Sequence, residues 1–344
     1  MSKIALIIEH EFMSVVKKKS FIVTTLLTPI FIVFMMFAPA ILFTPKPAPH
    51  MPPAVVEAPM TQVANDGQED TQIDLEQIIA NEQHQTQASN TVSGIIGIIL
   101  GMILYFIMIV YGNQVLQSVI NEKQSRVLDV LVTSCSPTEI MMGKILGIAL
   151  VAALQILIWA FLIMIAGVVI FPMIMSDYGI DIHAISQTGG SAELISLASK
   201  ITNLGFMSGL FLEMLLFMIG GFLFYAAMYA AIGSSVDTPQ DAAQFNSIVI
   251  IPVVIGMMVM ANIVSNPDSD IVFWCSMIPF TSPMVMMARI PFGIPTWQIV
   301  VSIAVLYISF IVMTWLAGRI FRIGVFMHGK KPTWKDLADW IKMK

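Results

Sequence analysis

The chain has 344 residues, of which 57% are hydrophobic and only 11% are charged, whereas a soluble domain has about 25% charged residues. So few ionisable groups cannot cover this much apolar surface in water. Lipid is therefore expected to surround part of the fold. The composition therefore excludes a soluble enzyme, a nucleic-acid-binding domain and a disordered chain. The two cysteines, Cys135 and Cys275, predict no disulfide framework.

Apolar runs of at least ~18 residues predict six membrane-spanning helices. The predicted spans are residues 20–43, 94–111, 145–171, 206–232, 247–264 and 297–317. A further apolar stretch, 271–293, is broken by Pro279, Pro283 and Pro291 and is predicted to form a re-entrant helical hairpin covered by other helices. The expected fold is all-α and polytopic, with residues 1–344 forming one transmembrane domain.

The basic residues predict the orientation. All Lys and Arg except Lys46, Lys200 and Arg289 lie in segments 1–19, 112–144 and 318–344. With an even number of spans these three segments share one side, which the positive-inside rule assigns to the cytoplasm. We therefore expect both termini to be cytoplasmic and the protein to lie in the plasma (inner) membrane. A cleaved signal peptide is the less favoured interpretation of the first run, because that run is about twice the normal ~7–15-residue signal core.

Two terminal segments and one long loop surround these spans. Residues 44–93 begin rich in proline and become acidic and amide-rich, which predicts a solvated extracytoplasmic loop, with cation attraction at an entrance as the alternative. An interfacial helix over residues 1–19 is implied by the family resemblance described below. The cytoplasmic tail, 318–344, is expected to carry an amphipathic helix that lies on the membrane.

The segment 112–144 continues the second span into the cytoplasm. Glu122, Arg126 and Asp129 share one face of the predicted helix at spacings of four and three, and Pro137 marks a bend. A short charged element at the membrane surface suits docking to a soluble partner, although a helix touching only lipid headgroups remains the alternative. Further along, Thr238 before Pro239 predicts a helix start.

Motifs for catalysis and for cofactor binding are missing. The sequence has no phosphate-binding Gly-x-x-x-x-Gly-Lys-Ser/Thr loop and no zinc-ligand spacing, so the chain is expected not to be an enzyme and to bind no cofactor or metal itself. Glu213 and Arg289 lie among apolar neighbours, where charge is costly. We expect them to approach each other and hold the hairpin against the bundle; alternatively, Glu213 reaches the outer interface.

Several motifs together resemble a known family. The sequence is similar to the membrane subunit of a type-2 ATP-binding-cassette (ABC-2) exporter, in the branch that includes NatB-like sodium-efflux permeases. The stretches that carry the resemblance are Glu11-Phe12 with residues 17–21, residues 122–126 with Asp129, residues 143–147, residues 231–234 with Asp237, residues 279–283, and residues 319–324. The resemblance covers nearly the whole chain apart from the outer loops.

The resemblance implies a division of labour between subunits. It implies six spans, a coupling helix between spans two and three, and ATP hydrolysis by a separate ABC ATPase subunit. It also implies a second permease, identical or homologous, and names sodium ions as a candidate substrate. The residues that it places on or beside the coupling helix are Glu122, Lys123, Ser125, Arg126 and Asp129. Asp129 stands where glutamate is more usual, and the loop 44–93 is shorter than the large external segment common in this branch.

Two other functional classes compete with the exporter. One is an ion channel or secondary transporter that works without ATP, and the other is a membrane scaffold that transports nothing. Neither explains the bent, charged segment after the second span as well as a docking element does. Association with an ATPase is the observation that separates the exporter from both.

Overall fold

A computed structural model describes residues 3–29, 69–125, 135–165, 200 and 203–324, and every regular element in these ranges is helical. Nine α-helices are described: α1 (Lys3–Val16), α2 (19–29), α3 (Glu69–Gln124), α4 (Pro137–Ile165), α5 (Leu204–Ser235), α6 (Pro239–Ile263), α7 (Asp270–Met277), α8 (Ser282–Arg289) and α9 (Thr296–Gly324). A single 3₁₀ turn, Ile290–Phe292, follows α8. The expected all-α fold is confirmed for this part of the chain.

Five described helices are long and apolar enough to cross a membrane. They are Ser89–Gln124, Pro137–Leu162, Gly205–Ser235, Pro239–Ile263 and Thr296–Gly324. Each contains all or most of one predicted span and extends beyond it, because polar residues continue these helices past the apolar run. Helix α2 covers the start of the first predicted span, but residues 30–43 lie outside the described part. The total of six spans therefore stays a prediction.

The second half of the predicted extracytoplasmic loop 44–93 is helical instead of irregular, and its location outside the membrane stays a prediction. Residues 69–93 belong to α3, a single helix of 56 residues with a length of about 84 Å at ~1.5 Å per residue. From residue 69 to residue 88 the sequence is rich in Glu, Gln and Ala and has no Pro or Gly, so its helix propensity is high although its polarity suggests a loop. Residues 44–68 lie outside the described part of the chain.

Helix α5 lies at the centre of the bundle. Its residues 220–231 are all buried, and it packs between α3 and α9. Tyr307 of α9 donates a hydrogen bond from its hydroxyl to the Leu216 carbonyl over 3.2 Å, which satisfies a polar group next to the core. A helix that is apolar all round must be surrounded by protein or lipid. Here the neighbours of α5 supply most of that cover.

Two short helices occupy the proline-broken stretch. Helices α7 and α8 are joined by a turn over 278–281, and every residue of α8 is buried. The α8 backbone lies so close to α3 that a methyl group on Gly97 would collide with the Ala288 carbonyl. The Tyr225 hydroxyl of α5 donates a hydrogen bond to the Phe280 carbonyl in the turn. The stretch is therefore a covered helical hairpin, and its depth in a membrane remains a prediction.

The connection between α5 and α6 is only three residues long. The Thr238 hydroxyl accepts a hydrogen bond from the Asp241 backbone N–H over 3.2 Å, and Pro239 occupies the first helical turn. The predicted cap at Thr238 is thus confirmed, and it satisfies one of the free N–H groups at the helix start. Cys135 and Cys275 are both free.

Candidate functional site

Two buried lysines lie at the end of the bundle where α3 and α5 finish and where α4 and α6 begin. We call this end, which also contains Arg319, Arg322 and Gly324 of α9, the basic end. Lys123 is 3% exposed and Lys144 is 1% exposed. Lysine is almost never fully buried unless it is paired, so each ammonium group must have local acceptors.

Lys144 joins three helices through one ammonium group. Its Nζ lies 2.7 Å from Glu11 Oε1, 2.6 Å from Glu122 Oε1 and 2.7 Å from Ser118 Oγ. The Ser118 hydroxyl in turn donates to Glu11 Oε1 over 3.1 Å. The three donors of the ammonium group are therefore all used. Because Glu11 lies on α1, Ser118 and Glu122 on α3, and Lys144 on α4, this cluster fixes the three helices to one another.

Glycines on α4 allow α1 to come close enough for this contact. A methyl group added to Gly147 would lie 2.6 Å from Glu11 Cβ, and one added to Gly143 would lie 2.7 Å from Ile7 Cγ2. Both distances are shorter than two carbon atoms tolerate. The glycines on either side of Lys144 therefore form a notch in which α1 lies against α4, and the short Glu11 side chain reaches the ammonium group.

Lys123 forms a second cluster on another side of α3. Its Nζ lies 2.9 Å from the Ser234 carbonyl, 2.9 Å from the Gly324 carbonyl and 2.9 Å from Asp237 Oδ1. Ser234 is in the last turn of α5, and Gly324 is the last described residue of α9. A carbonyl in the last turn of a helix, such as that of Ser234, has no partner within the helix and carries the negative end of the helix dipole. One ammonium group therefore caps α5, binds a backbone carbonyl of α9 and also pairs with a carboxylate.

The last turn of α3 is consequently held on two sides. Glu122 and Lys123 are adjacent in sequence, but one contacts α4 and the other contacts α5 and α9. Gln124 adds a hydrogen bond from Nε2 to the Asp237 carbonyl over 2.8 Å. The Lys144 cluster carries two carboxylates for one ammonium group. Breaking a buried ion pair costs several kcal/mol because it leaves a charge uncompensated.

The predicted coupling residues fall into three groups. The side chain of Lys123 is 2% exposed and that of Glu122 is 19% exposed, so both contact other helices of this chain rather than lie free on the surface. Ser125 is exposed, and its hydroxyl donates to the Glu122 carbonyl over 3.2 Å. Arg126 and Asp129 lie outside the described residues. Their role as docking residues stays a prediction.

The expected pairing of Glu213 with Arg289 is wrong. Arg289 is 1% exposed, and it donates from Nε to the Pro267 carbonyl over 3.2 Å and from Nη1 to Ser276 Oγ over 2.8 Å. Its Nη2 lies 3.6 Å from Asp268 Oδ1. Pro267 and Asp268 directly precede α7, and Ser276 belongs to it. Arg289, the last residue of α8, therefore connects the two helices of the hairpin. Within the described residues Glu213 forms no ion pair.

Replacing Arg289 by glutamine is expected to loosen the hairpin. The variant loses the charged hydrogen bonds to Pro267 and Ser276, each worth about 1.5–3 kcal/mol, so its thermal unfolding midpoint in detergent should fall. Glu213→Gln is the matched control, because no partner is lost there, and its midpoint should stay unchanged. Equal losses in the two variants would argue for a contact between them after all.

A lysine at the opposite end of the bundle is also tied to α3. Lys200 donates to the Ser89 carbonyl over 3.3 Å and to the Ser93 hydroxyl. Partial burial lowers the pKa of Lys200, because leaving water disfavours the charged amine.

Within the described ranges, no group of three or more His, Cys, Asp and Glu side chains is placed to hold a metal ion.

The clusters contain residues that sequence analysis did not select as site residues. These are Glu11, Ser118, Lys144 and Asp237, together with the Gly324 carbonyl. All but Ser118 belong to the motifs that carried the family resemblance, and the structure brings those motifs together at the basic end. A usable signal was present at Lys144, because a lone charged residue between two glycines at the start of an apolar run indicates a helix contact.

The fold and these clusters define a class. Five membrane-length helices around a buried core, with charges concentrated at one end, describe a multi-pass integral membrane protein. The family described as "ABC-2 family transporter protein" matches residues 54–319. The chain belongs to this family of membrane transport proteins, which confirms the family resemblance at that level.

Two curated relatives are similar to this chain. The uncharacterized protein YhaP of Bacillus subtilis is 28% identical over 251 residues, which are 73% of this chain and 55% of that protein. The uncharacterized protein MJ1024 of Methanocaldococcus jannaschii is 29% identical over 245 residues, which are 70% and 52% of the two chains. The chain therefore spans about half the length of these relatives. No solved structure matches it.

Proposed function

We propose that this chain is the permease subunit of an ATP-driven exporter and that a separate ABC ATPase docks on the segment after α3. Membership of the ABC-2 family makes the chain a transport component that is not itself catalytic. The positive-inside rule supports placing the basic end, and with it this segment, in the cytoplasm. Two permease chains, identical or homologous, would form the path.

The observation that carries the proposal is the two-sided attachment of the end of α3. The predicted docking segment follows Ser125 directly, so a force applied there reaches the last turn of α3 first. From that turn Glu122 leads through Lys144 to α1 and α4, and Lys123 leads to the ends of α5 and α9. Rigid helices joined by packed polar contacts move as bodies. This linkage suits a bundle driven by an external motor.

Co-purification tests the docking. The chain is purified from its native membrane, and the preparation is assayed for ATP hydrolysis and for a co-eluting ABC ATPase. Arg126→Glu and Asp129→Lys are each expected to lose most of the associated ATPase, because they reverse charge on the predicted docking segment. Asp270→Lys, an exposed position at the start of α7, is the control and should retain it.

The outcomes separate the functional classes. ATPase retained in both docking variants would contradict the docking assignment. Transport activity in a preparation that never contains an ATPase would favour the ATP-independent channel or secondary transporter. The absence of both ATPase and transport from native membranes would favour the scaffold.

Sodium efflux is the proposed transport reaction, and it rests on the family resemblance alone. Inverted membrane vesicles that contain the chain and its ATPase are expected to accumulate radioactive sodium when ATP is added. Vesicles with the Arg126→Glu variant should show the background level. ATP-dependent transport without sodium accumulation would leave the exporter intact and remove sodium as its substrate.

A further inference from the structure

One side of α9 is exposed and apolar, and it carries a tryptophan near each end. Trp297 is 56% exposed and Trp315 is 57% exposed. Their separation in sequence is about five turns of ~3.6 residues, so both indoles lie on the same side of the helix. Val301, Ile308 and Ile311 are exposed between them, and no charged residue occurs from residue 296 to residue 318. We call the side that these five residues define the outward face of α9.

The two tryptophans bound a band as thick as the apolar part of a bilayer. At ~1.5 Å per residue they are about 27 Å apart along the helix axis, close to the ~30 Å of the hydrocarbon core. The Phe273 ring centre lies 6.5 Å from that of Trp297, so its neighbour Trp274, which is 63% exposed, adds an indole at the same end. Tryptophan is enriched at both boundaries of a membrane. Trp315 is therefore expected at the boundary on the side of the basic end.

An arginine is stacked on Trp315. The guanidinium carbon of Arg319 lies 4.1 Å from the centre of the Trp315 ring. Side chains on a helix tilt toward its N-terminus, so this guanidinium lies at the level of the indole although the Arg319 backbone is one turn further along. Arg322 is exposed and lies about two turns beyond Trp315 on the same face. The contact with Trp315 therefore places the Arg319 guanidinium at the edge of the hydrocarbon layer, where the lipid phosphates begin.

The chemistry of the two arginines suits a phosphate group. Stacking on a ring occupies the flat face of a guanidinium, whereas its N–H donors lie at the edge and match the oxygens of a phosphate. Helix α9 contains no Asp or Glu, so its own charges make this end of the outward face positive. A phosphate that contacts both arginines lies directly beyond the apolar band.

We propose that Arg319 and Arg322, together with Trp315, bind the headgroup phosphate of an anionic phospholipid whose acyl chains lie along the outward face of α9. The occupant is a lipid rather than a soluble phosphate ester because the same face continues from the arginines into about 27 Å of exposed apolar side chains. The Gly324 carbonyl of α9 accepts a hydrogen bond from Lys123 over 2.9 Å, so the bound lipid holds α9 beside its attachment to α3. This site does not depend on the proposed export function.

Lipid binding is tested with the full chain in nanodiscs of phosphatidylcholine that contain a minority of phosphatidylglycerol. Native mass spectrometry counts the phosphatidylglycerol molecules that remain bound. The double variant Arg319→Gln/Arg322→Gln is expected to lose affinity on the order of thirtyfold, and Arg319→Lys/Arg322→Lys should keep most of it. Equal retention by the glutamine and lysine variants would overturn the proposal.

A matched change elsewhere separates a site from general attraction. Lys17→Gln/Lys18→Gln removes the same charge from two exposed lysines and should lose far less phosphatidylglycerol. A loss as large as that of the double arginine variant would mean that total charge attracts the lipid, and the assignment to α9 would be wrong.

A competition arm identifies the source of the phosphate. Soluble glycerol phosphate, added at the same concentration as the lipid headgroup, should leave the bound phosphatidylglycerol unchanged. Displacement by glycerol phosphate would mean that the arginines bind free phosphate esters and that the acyl chains contribute nothing.

Fluorescence quenching by brominated lipids tests the height of the site. The signal of Trp315 is the difference between the wild type and Trp315→Phe, and it should be quenched more by lipids brominated near the headgroup than by lipids brominated near the chain end. Trp159 is 6% exposed, so the signal lost in Trp159→Phe is the control and should be little quenched. An unquenched Trp315 would indicate that protein covers this face, and stronger quenching from the chain end would place the arginines away from the phosphates. Either result would overturn the proposal.

Discussion

Lys123→Met is expected to destabilise the protein by about 3–5 kcal/mol, the usual cost of removing one partner from a buried ion pair. The variant keeps the length and packing of the side chain but removes the ammonium group. The carbonyls of Ser234 and Gly324 then lose their common donor, and Asp237 loses its counter-ion. The measurement is the thermal unfolding midpoint in detergent, followed by intrinsic fluorescence.

The same substitution on the surface is the control for this result. Lys18 is exposed, so Lys18→Met should change the midpoint little. The double variant Lys123→Met/Asp237→Asn should recover part of the loss, because it also removes the carboxylate that pairs with Lys123. Pairs in contact commonly show coupling of about 0.5–3 kcal/mol. If Lys123→Met is as stable as Lys18→Met, the ammonium group does not hold the ends of α5 and α9.

Lys144→Met is expected to have an effect at least as large and to release α1. Without the ammonium group, the carboxylates of Glu11 and Glu122 face each other in a buried site, and like charges that close repel. Because α1 contacts the bundle through this cluster and the glycine notch, its backbone should open locally. Hydrogen exchange in residues 3–16 is expected to rise well before global unfolding.

Removing the repulsion should restore order to α1. Glu11→Gln in the Lys144→Met background leaves one carboxylate instead of two, and exchange in residues 3–16 should slow again. Lys144→Arg keeps the charge, but its larger head must fit between Gly143 and Gly147, so partial protection is expected. Wild-type exchange in Lys144→Met would show that packing alone holds α1.

The apolar runs located the membrane helices, because the position of such a helix is determined almost entirely by the length and hydrophobicity of its sequence. Each of the five predicted spans within the described part coincides with a long helix. The cap at Thr238 was predictable because it depends only on residues 238–241. The helix over 69–93 was missed because its polar composition outweighed its propensity. Proline positions predicted the break between α7 and α8, where the chain turns at 278–281.

The charge clusters could not be predicted from spacing. Helical periodicity places Glu122 on one face of α3, but it cannot say that this face meets Lys144 rather than water. That requires the arrangement of α1, α3 and α4 in space. The expected partner of Arg289 was wrong for the same reason, because apolar surroundings identify a costly charge without identifying its nearest acceptor. Asp268 was passed over because it lies in a polar turn.

Because α3 is one uninterrupted helix, the direction of each side chain at its end depends on the number of residues before it. Consecutive residues on an α-helix differ by about 100° in direction, which is how neighbours in sequence reach α4 on one side and α5 with α9 on another. Inserting or deleting one residue between Ser89 and Ser118 would turn both side chains away from their partners at once. A twist of α3 about its own axis would likewise strain both attachments together. The helix is therefore expected to transmit torque, and its residue count between the bilayer and the basic end should tolerate no change.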